Sequence, residues 1–153
     1  MPADLVNRIN LDLLEPAFRE NLLNLLAEAR GLGFEFFATE GFRSFGRSRD
    51  LYAAWQKGGP RAAPAGFSAH NYGLAVDLCR RVGKKGVSWK EADYEPLRSL
   101  CPKHTLSWGG LFKDPPHVGH ASYVNSNQLM KLRKLWDPIK TDDQNLKVVW
   151  SKL

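Results

Sequence analysis

The sequence predicts an α+β fold in which helices flank a small, mainly antiparallel sheet. Two observations predict it. Segments with apolar side chains at helical spacing are interspersed with short strand-like runs, and 153 residues suffice for one compact core but not for two large domains. Apolar residues make up 43% of the chain and charged residues 25%, as in an ordinary globular protein. We therefore expect a single domain over residues 1–153.

In the first part of the chain, helices are predicted at 13–30 and 47–57, with a strand at 34–39 between them. The strand is the aromatic-rich run FEFFAT. Gly31 is suited to end the first helix, whose apolar face consists of Phe18, Leu22, Leu25, Leu26 and Ala29. The second helix is expected to bury Leu51, Tyr52 and Trp55.

In the rest of the chain, the Gly- and Pro-rich run 58–66 predicts a loop, followed by a short buried strand at 74–78 and a turn at 83–86. Ser88 and Glu91 match a capping box, which predicts a helical segment as far as Leu100, bent near Pro96. Short strands are predicted at 106–108 and 117–119. A last helix at about 125–136 is expected to end at Asp137-Pro138 and to bury Leu129, Leu132 and Trp136.

Composition argues against several classes of protein. The two cysteines, Cys79 and Cys101, form no Cys-x-x-Cys pair, which excludes a thiolate zinc ribbon. The formal charge of +6 favours polyanions, but ordinary solubility explains it equally well, and the scattered basic residues form no nucleic-acid module. With neither a secretory signal nor a run of about 18 apolar residues, we expect synthesis in the cytoplasm and no membrane insertion.

The segment 68–77, SAHNYGLAVD, places His70 at the exit of a loop and Asp77 inside an apolar strand. Burying a carboxylate among apolar residues is costly unless a cation compensates its charge, and a metal ion would do so. Alternatively, Asp77 bonds backbone amides at the strand end and His70 is a surface loop residue. This segment alone supports the two interpretations equally.

A second segment, WGGLFKDPPH at 108–117, adds His117 and favours the metal site. Two histidines and one aspartate leave the fourth zinc position to water, as a catalytic zinc site requires. Asp114, three residues before His117, can then serve as base and acid for the reaction. The alternative for Asp114 is a solvated turn residue before Pro115.

A third segment, GFRS at 41–44, follows the first predicted strand and contains Arg43. An arginine at a strand end can point into a cleft, hold a substrate carbonyl or carboxylate, and stabilise an oxyanion. A surface ion pair with Glu40 or another acid is the alternative.

In order and spacing, these three segments resemble the signature blocks of one family. It comprises the D-alanyl-D-alanine carboxypeptidases, the vancomycin-resistance D,D-peptidases and the L-alanyl-D-glutamate endopeptidases of phage endolysins. The resemblance implies a hedgehog- or D,D-peptidase-like zinc peptidase fold with its catalytic core at about 34–120. It also implies one Zn²⁺ ion, with three ligands: His70, Asp77 and His117.

The resemblance further implies the roles of four other residues. Asp114 matches the general base and acid, and Arg43 matches the arginine that binds substrate and polarises the scissile carbonyl. Ser68 matches a serine of secondary importance near the metal, and Trp108 is expected to line the cleft. Where relatives often have a large aromatic residue after the last ligand, this chain has Val118-Gly119-His120, which leaves the pocket shape open. We expect His120 and His104 to lie outside the ligand set.

The implied function is that of a monomeric zinc metallopeptidase that cuts peptidoglycan stem peptides. An L-alanyl-D-glutamate endolysin is the leading interpretation, and it would reach the periplasmic or extracellular wall after holin-type release. A D,D-carboxypeptidase or dipeptidase that releases terminal D-alanine is an alternative within the same chemistry. A non-catalytic zinc module for wall binding or signalling is the alternative outside it. Nucleic acid is not an expected partner.

Overall fold

One antiparallel sheet of five strands lies at the centre of the computed structural model, which describes residues 2–153. The strands are β1 (Phe36–Glu40), β2 (Ala75–Val82), β3 (Gly86–Ser88), β4 (Leu106–Trp108) and β5 (His117–His120). Across the sheet the order is β1-β2-β5-β4, and β3 pairs with the far end of β2. The strand predicted at 74–78 therefore extends to Val82, because its second half pairs with β3.

Within residues 2–153, five α-helices accompany the sheet: α1 (Pro16–Gly31), α2 (Phe45–Gln56), α3 (Leu97–Lys103), α4 (Ser126–Arg133) and α5 (Asp142–Trp150). α1 begins later than predicted because Leu11–Leu13 forms a separate 3₁₀ helix. The Glu15 carboxylate then caps α1 by accepting hydrogen bonds from the first amides of the helix. α4 ends at Arg133 and not at residue 136, although Trp136 still stacks on Phe45 with ring centroids 4.5 Å apart.

Buried apolar side chains form two clusters. The larger cluster packs α1 and α3 against the sheet, and from α1 it includes the whole predicted face: Phe18, Leu22, Leu25, Leu26 and Ala29. The smaller cluster packs α4 and α5 against the 3₁₀ helix Ala69–Tyr72, with Tyr72, Leu74, Leu129, Leu132 and Val149 at its centre. Because Ala69–Tyr72 includes His70, this second cluster supports one of the predicted ligands from behind.

Two predictions about side chains and caps are wrong. α2 does not bury Trp55, which is 38% exposed, while Leu51 and Tyr52 are half-buried; the fully buried residue of α2 is Ser48. Ser88 ends β3 and bonds the Asp93 carboxylate, so it does not cap a helix. The segment that follows is divided near Pro96 into the 3₁₀ helix Glu91–Tyr94 and α3, as the proline allows.

α5 was not predicted from the sequence, although its signal is present there. Thr141 and Gln144 form a capping box, and Leu146 and Val149 lie three residues apart on the buried face. Trp150, at the end of α5, donates a hydrogen bond from its indole to the Tyr72 carbonyl at 2.8 Å. Within residues 2–153, no helix is both long enough and apolar enough to cross a membrane.

Candidate functional site

His70 is held in one orientation by its surroundings. Its backbone amide donates to the hydroxyl of Ser68, which caps the 3₁₀ helix, and the residue is 3% exposed. The ring Nδ1 lies 2.8 Å from the Gly41 carbonyl oxygen. Because a carbonyl can only accept, Nδ1 must carry the proton, and Nε2 keeps its lone pair for a ligand when the ring is neutral. Such a bond to the second ring nitrogen is typical of metal-binding histidines.

Strand pairing brings the other two predicted ligands together. Asp77 of β2 and His117 of β5 are direct partners in the antiparallel ladder, so their side chains project from the same face of the sheet. Asp77 Oδ1 lies 3.7 Å from His117 Nδ1 and 3.4 Å from His70 Nε2. All three ligand atoms lie within 4.8 Å of one another. The sheet register thus assembles a site from residues 40 positions apart along the chain.

These three atoms fit a zinc ion. Zinc bonds of about 2.0–2.2 Å in a tetrahedral arrangement place ligand atoms about 3.3–3.6 Å apart. The two distances from Asp77 Oδ1 to the histidine nitrogens, 3.4 and 3.7 Å, are close to this range. Two imidazoles and one carboxylate are also the ligand types of catalytic zinc sites, which leave a position for water. The predicted site for one Zn²⁺ ion at His70, Asp77 and His117 is therefore confirmed.

The charge state of the ligands is consistent with cation binding. Burial disfavours the ionised form of Asp77, but the neighbouring imidazoles of His117 and His70 outweigh it and hold the Asp77 pKa far below its usual range. Burial likewise opposes the charged form of His70, yet the Asp77 carboxylate raises the His70 pKa, so a proton competes with a metal ion for Nε2 as the pH falls. Within residues 2–153, the Asp77 carboxylate accepts no backbone amide, which removes the alternative interpretation of this residue.

Asp114 lies beside the ligands in a tight turn. Its amide donates to the Gly109 carbonyl at 2.9 Å, and its own carbonyl accepts from the His117 amide at 3.1 Å. Although Asp114 is exposed as a residue, it lines the same cleft of about 490 Å³ as the ligands. Desolvation by the cleft walls, reinforced by the negative charge of Asp77, raises the Asp114 pKa. A carboxyl group in such a site is able to hold a proton and release it.

Arg43 also lines the cleft and is only 12% exposed. Its backbone amide donates to the His70 carbonyl at 2.9 Å, which couples the loop after β1 to the ligand helix. Its Nε donates to Glu40 Oε1 at 2.7 Å, so the predicted alternative contact with Glu40 is present as well. The two contacts are compatible, because the terminal nitrogens of a guanidinium remain available when Nε is bonded.

The remaining predicted residues are placed differently. Ser68 lines the cleft. Trp108, expected to line it, is instead 3% exposed and packs in the core, where its indole donates to the Pro115 carbonyl at 2.8 Å. It therefore supports the turn that carries Asp114 from behind. His120 and His104 lie outside the ligand cluster, as expected.

Asn71, a buried residue beside the first ligand, was not predicted from the sequence. Its side-chain oxygen accepts from the amides of Gly66 and Ser68, and its nitrogen donates to the Arg43 carbonyl and the Ser48 hydroxyl. One amide thus joins three segments that border the cleft. The signal in the sequence is an amide side chain directly after a metal-ligating histidine.

Comparisons with known proteins agree with this geometry. A family described as D-alanyl-D-alanine carboxypeptidase matches residues 61–123. The chain is 32% identical to the peptidoglycan L-alanyl-D-glutamate endopeptidase CwlK of Bacillus subtilis (strain 168), over 69% of this chain and 72% of CwlK.

Solved structures with the same fold include the L-Ala D-Glu endopeptidase ChiX of Serratia marcescens, with a TM-score of 0.57 and 25% identity over 72% of this chain and 83% of ChiX. They also include the vancomycin-resistance D,D-pentapeptidase VanY in complex with Zn(II), with a TM-score of 0.52 and 16% identity over 84% of this chain and 81% of VanY. The second likeness concerns the fold alone. The predicted α+β fold with an antiparallel sheet and flanking helices is confirmed.

Proposed function

Since the chain belongs to the D-alanyl-D-alanine carboxypeptidase family of zinc peptidases, as its three motif segments predicted, we propose that it is an L-alanyl-D-glutamate endopeptidase of peptidoglycan stem peptides. The observation that carries the proposal is that one cleft contains the metal ligands together with Asp114 and Arg43. A binding module needs the ligands but has no use for an acid–base group beside them. The bond is inferred from CwlK and ChiX, whose names describe endopeptidases of this specificity.

The zinc ion and the protein side chains have different roles in the reaction. When bound, zinc supplies Lewis acidity to the reaction centre. The Asp114 carboxylate takes a proton from the attacking water and delivers it to the leaving nitrogen of D-glutamate, and its raised pKa suits both steps. The carbon–nitrogen bond breaks, a carbon–oxygen bond forms, and the proton passes from water to amine.

In this proposal Arg43 positions the substrate, and Ser68 supports a metal ligand. The guanidinium of Arg43 donates from its terminal nitrogens to the scissile carbonyl oxygen, where negative charge develops during attack. Glu40 bonds the Nε of the same group and thereby restricts its rotation. Ser68 acts through the helix cap that orients His70.

We also propose that the protein acts as a lytic enzyme on the outer side of the membrane, after holin-type release. The excess of 22 Lys and Arg over 16 Asp and Glu favours adsorption to an anionic wall. Expression in a bacterial host with and without a co-expressed holin tests this role. Lysis only when both are present is the expected result, and growth unaffected by both together would contradict it.

Mass spectrometry of fragments released from purified peptidoglycan tests the activity, with and without a zinc chelator. The expected products are chelator-sensitive stems that begin at D-glutamate. Loss of terminal D-alanine alone would make the enzyme a D,D-carboxypeptidase. Absence of any release, with zinc bound, would make the protein a non-catalytic module.

Two variants separate the roles of the residues. Asp114→Asn should lower turnover by about 10²- to 10⁴-fold while zinc stays bound, because it removes only the proton carrier. Asp12→Asn, at a carboxylate that is 92% exposed, is the matched control and should leave turnover unchanged. His70→Ala should abolish stoichiometric zinc binding, as measured by metal analysis after dialysis. Full occupancy in that variant would refute its role as a ligand.

A further inference from the structure

The cleft is lined by two cationic side chains that differ in their surroundings. Arg43 is nearly buried, and its charge is partly compensated by Glu40. Arg61 is exposed and lines the same cleft, and its guanidinium makes no ion pair or hydrogen bond with another side chain of residues 2–153. The positive charge of Arg61 is therefore available to a ligand in the cleft.

Arg61 lies on a loop whose far end is anchored to the ligand helix. The Gly66 amide donates to the Asn71 side chain at 3.0 Å, and the Tyr72 hydroxyl donates to the Gly66 carbonyl at 2.6 Å. Phe67 closes a turn onto Pro64 by a further backbone bond of 3.0 Å. These bonds tie residues 64–67 of the loop to the segment that carries His70, and Arg61 lies on the same loop at the border of the cleft.

The proposed substrate brings a negative charge into this cleft. In a stem cut at L-alanyl-D-glutamate, the α-carbon that bears the scissile nitrogen also bears a carboxyl group. When that carboxyl is free, it needs a cation or hydrogen-bond donors to replace the water it loses on binding. Arg43 is assigned to the scissile carbonyl, which leaves Arg61 as the other arginine that lines the cleft.

We propose that Arg61 binds the free α-carboxylate of the D-glutamate residue on the amine side of the scissile bond. The enzyme is thereby selective for stems that contain D-glutamate over stems that contain its amide, D-isoglutamine. This inference rests on the proposed function, since it concerns the substrate of the same site. A planar guanidinium suits it, because two parallel N–H groups match the two oxygens of a carboxylate but not the oxygen and NH₂ group of an amide.

The test uses two synthetic stem peptides that differ only in this group, carboxylate or carboxamide, with kcat/KM measured for the zinc-loaded full chain. The wild-type protein should prefer the carboxylate peptide by at least about tenfold, as expected for one charge-assisted hydrogen-bonded pair. Arg61→Gln should reduce this preference to about one, mainly by raising KM for the carboxylate peptide. Arg61→Lys should retain part of the preference, because the charge remains.

Arg47→Gln is the matched control, since Arg47 is an exposed arginine of α2 that does not line the cleft. It should keep the wild-type preference, which separates a local contact from a general loss of positive charge. If Arg61→Gln cleaves normally and keeps the wild-type preference, the proposed role of Arg61 is refuted, while the proposed function stands. If the wild-type protein cuts neither peptide but releases terminal D-alanine from a complete stem, the proposed function itself is refuted, and this inference with it.

Discussion

Replacement of Asn71 by alanine should destabilise the protein more than any other single polar change near the cleft. Asn71 is fully buried, and its amide makes four hydrogen bonds of 2.9–3.2 Å. Its oxygen faces two amide donors and its nitrogen faces a carbonyl and a hydroxyl, so the partners themselves determine the orientation of the amide. No other side-chain type of this size satisfies the same four groups.

The magnitude follows from those bonds. A net contribution of about 1 kcal/mol for each bond gives about 4 kcal/mol for Asn71→Ala, which also leaves buried partners unsatisfied. Ser48→Ala removes only one of the four bonds and should cost about 1 kcal/mol. Asn71→Asp keeps the acceptor oxygen but places an anion against the Arg43 carbonyl oxygen. The free energy of unfolding of this variant should therefore also be lower than that of the wild-type protein.

Denaturation by guanidinium chloride measures the free energy of unfolding for the wild-type protein and the three variants. Zinc affinity, determined by competition with a chromophoric chelator, gives a second readout, because Asn71 also orders the segment that carries His70. The reasoning is refuted if Asn71→Ala loses less than about 1 kcal/mol, or no more than Ser48→Ala.

Two further predictions concern the turn before the third ligand and the acid stability of the fold. A Cβ on Gly109 would lie 2.4 Å from the Asp114 carbonyl oxygen, so Gly109→Ala should weaken zinc binding by at least about tenfold in chelator competition. Gly46→Ala, where the nearest atom is 3.9 Å away, is its control, and equal affinities for the two variants would contradict the steric argument. Hydrogen bonds from the side chains of Lys103 and, to a smaller extent, His104 lower the Glu28 pKa. Ionised Glu28 therefore stabilises the fold at pH values above its pKa in the unfolded chain. This stabilisation is lost as the pH falls through the pKa of Glu28 in the folded protein. The wild-type protein should thus lose more stability than Glu28→Gln between about pH 6 and about pH 3, and parallel stability curves would disprove this.

Local patterns in the sequence were sufficient to predict several features of the protein. The buried face of α1 follows from side-chain spacing alone, since positions three and four apart share one side of a helix. β4 was predicted with its observed bounds. His70, Asp77 and His117 were predicted as ligands because their residue types match zinc chemistry and their segments resemble one family.

Local patterns were insufficient where burial depends on which distant segment lies opposite. Trp108 and Trp55 are the same residue type, but Trp108 is buried under the turn that carries Asp114, whereas Trp55 is 38% exposed on α2. α5 was missed although its capping box is local, because its apolar residues become a recognisable face only against Tyr72 and α4.

The sequence by itself determined the candidate metal ligands, the buried face of α1 and the class of fold, because these depend on residue types and on spacing within short segments. Only the tertiary structure decided that Asp77 lies opposite His117 and that the Gly41 carbonyl selects the free nitrogen of His70. It also decided that Asn71 joins three segments around the cleft. These contacts connect residues far apart in the chain, and their geometry depends on strand register and loop packing, which no local pattern encodes.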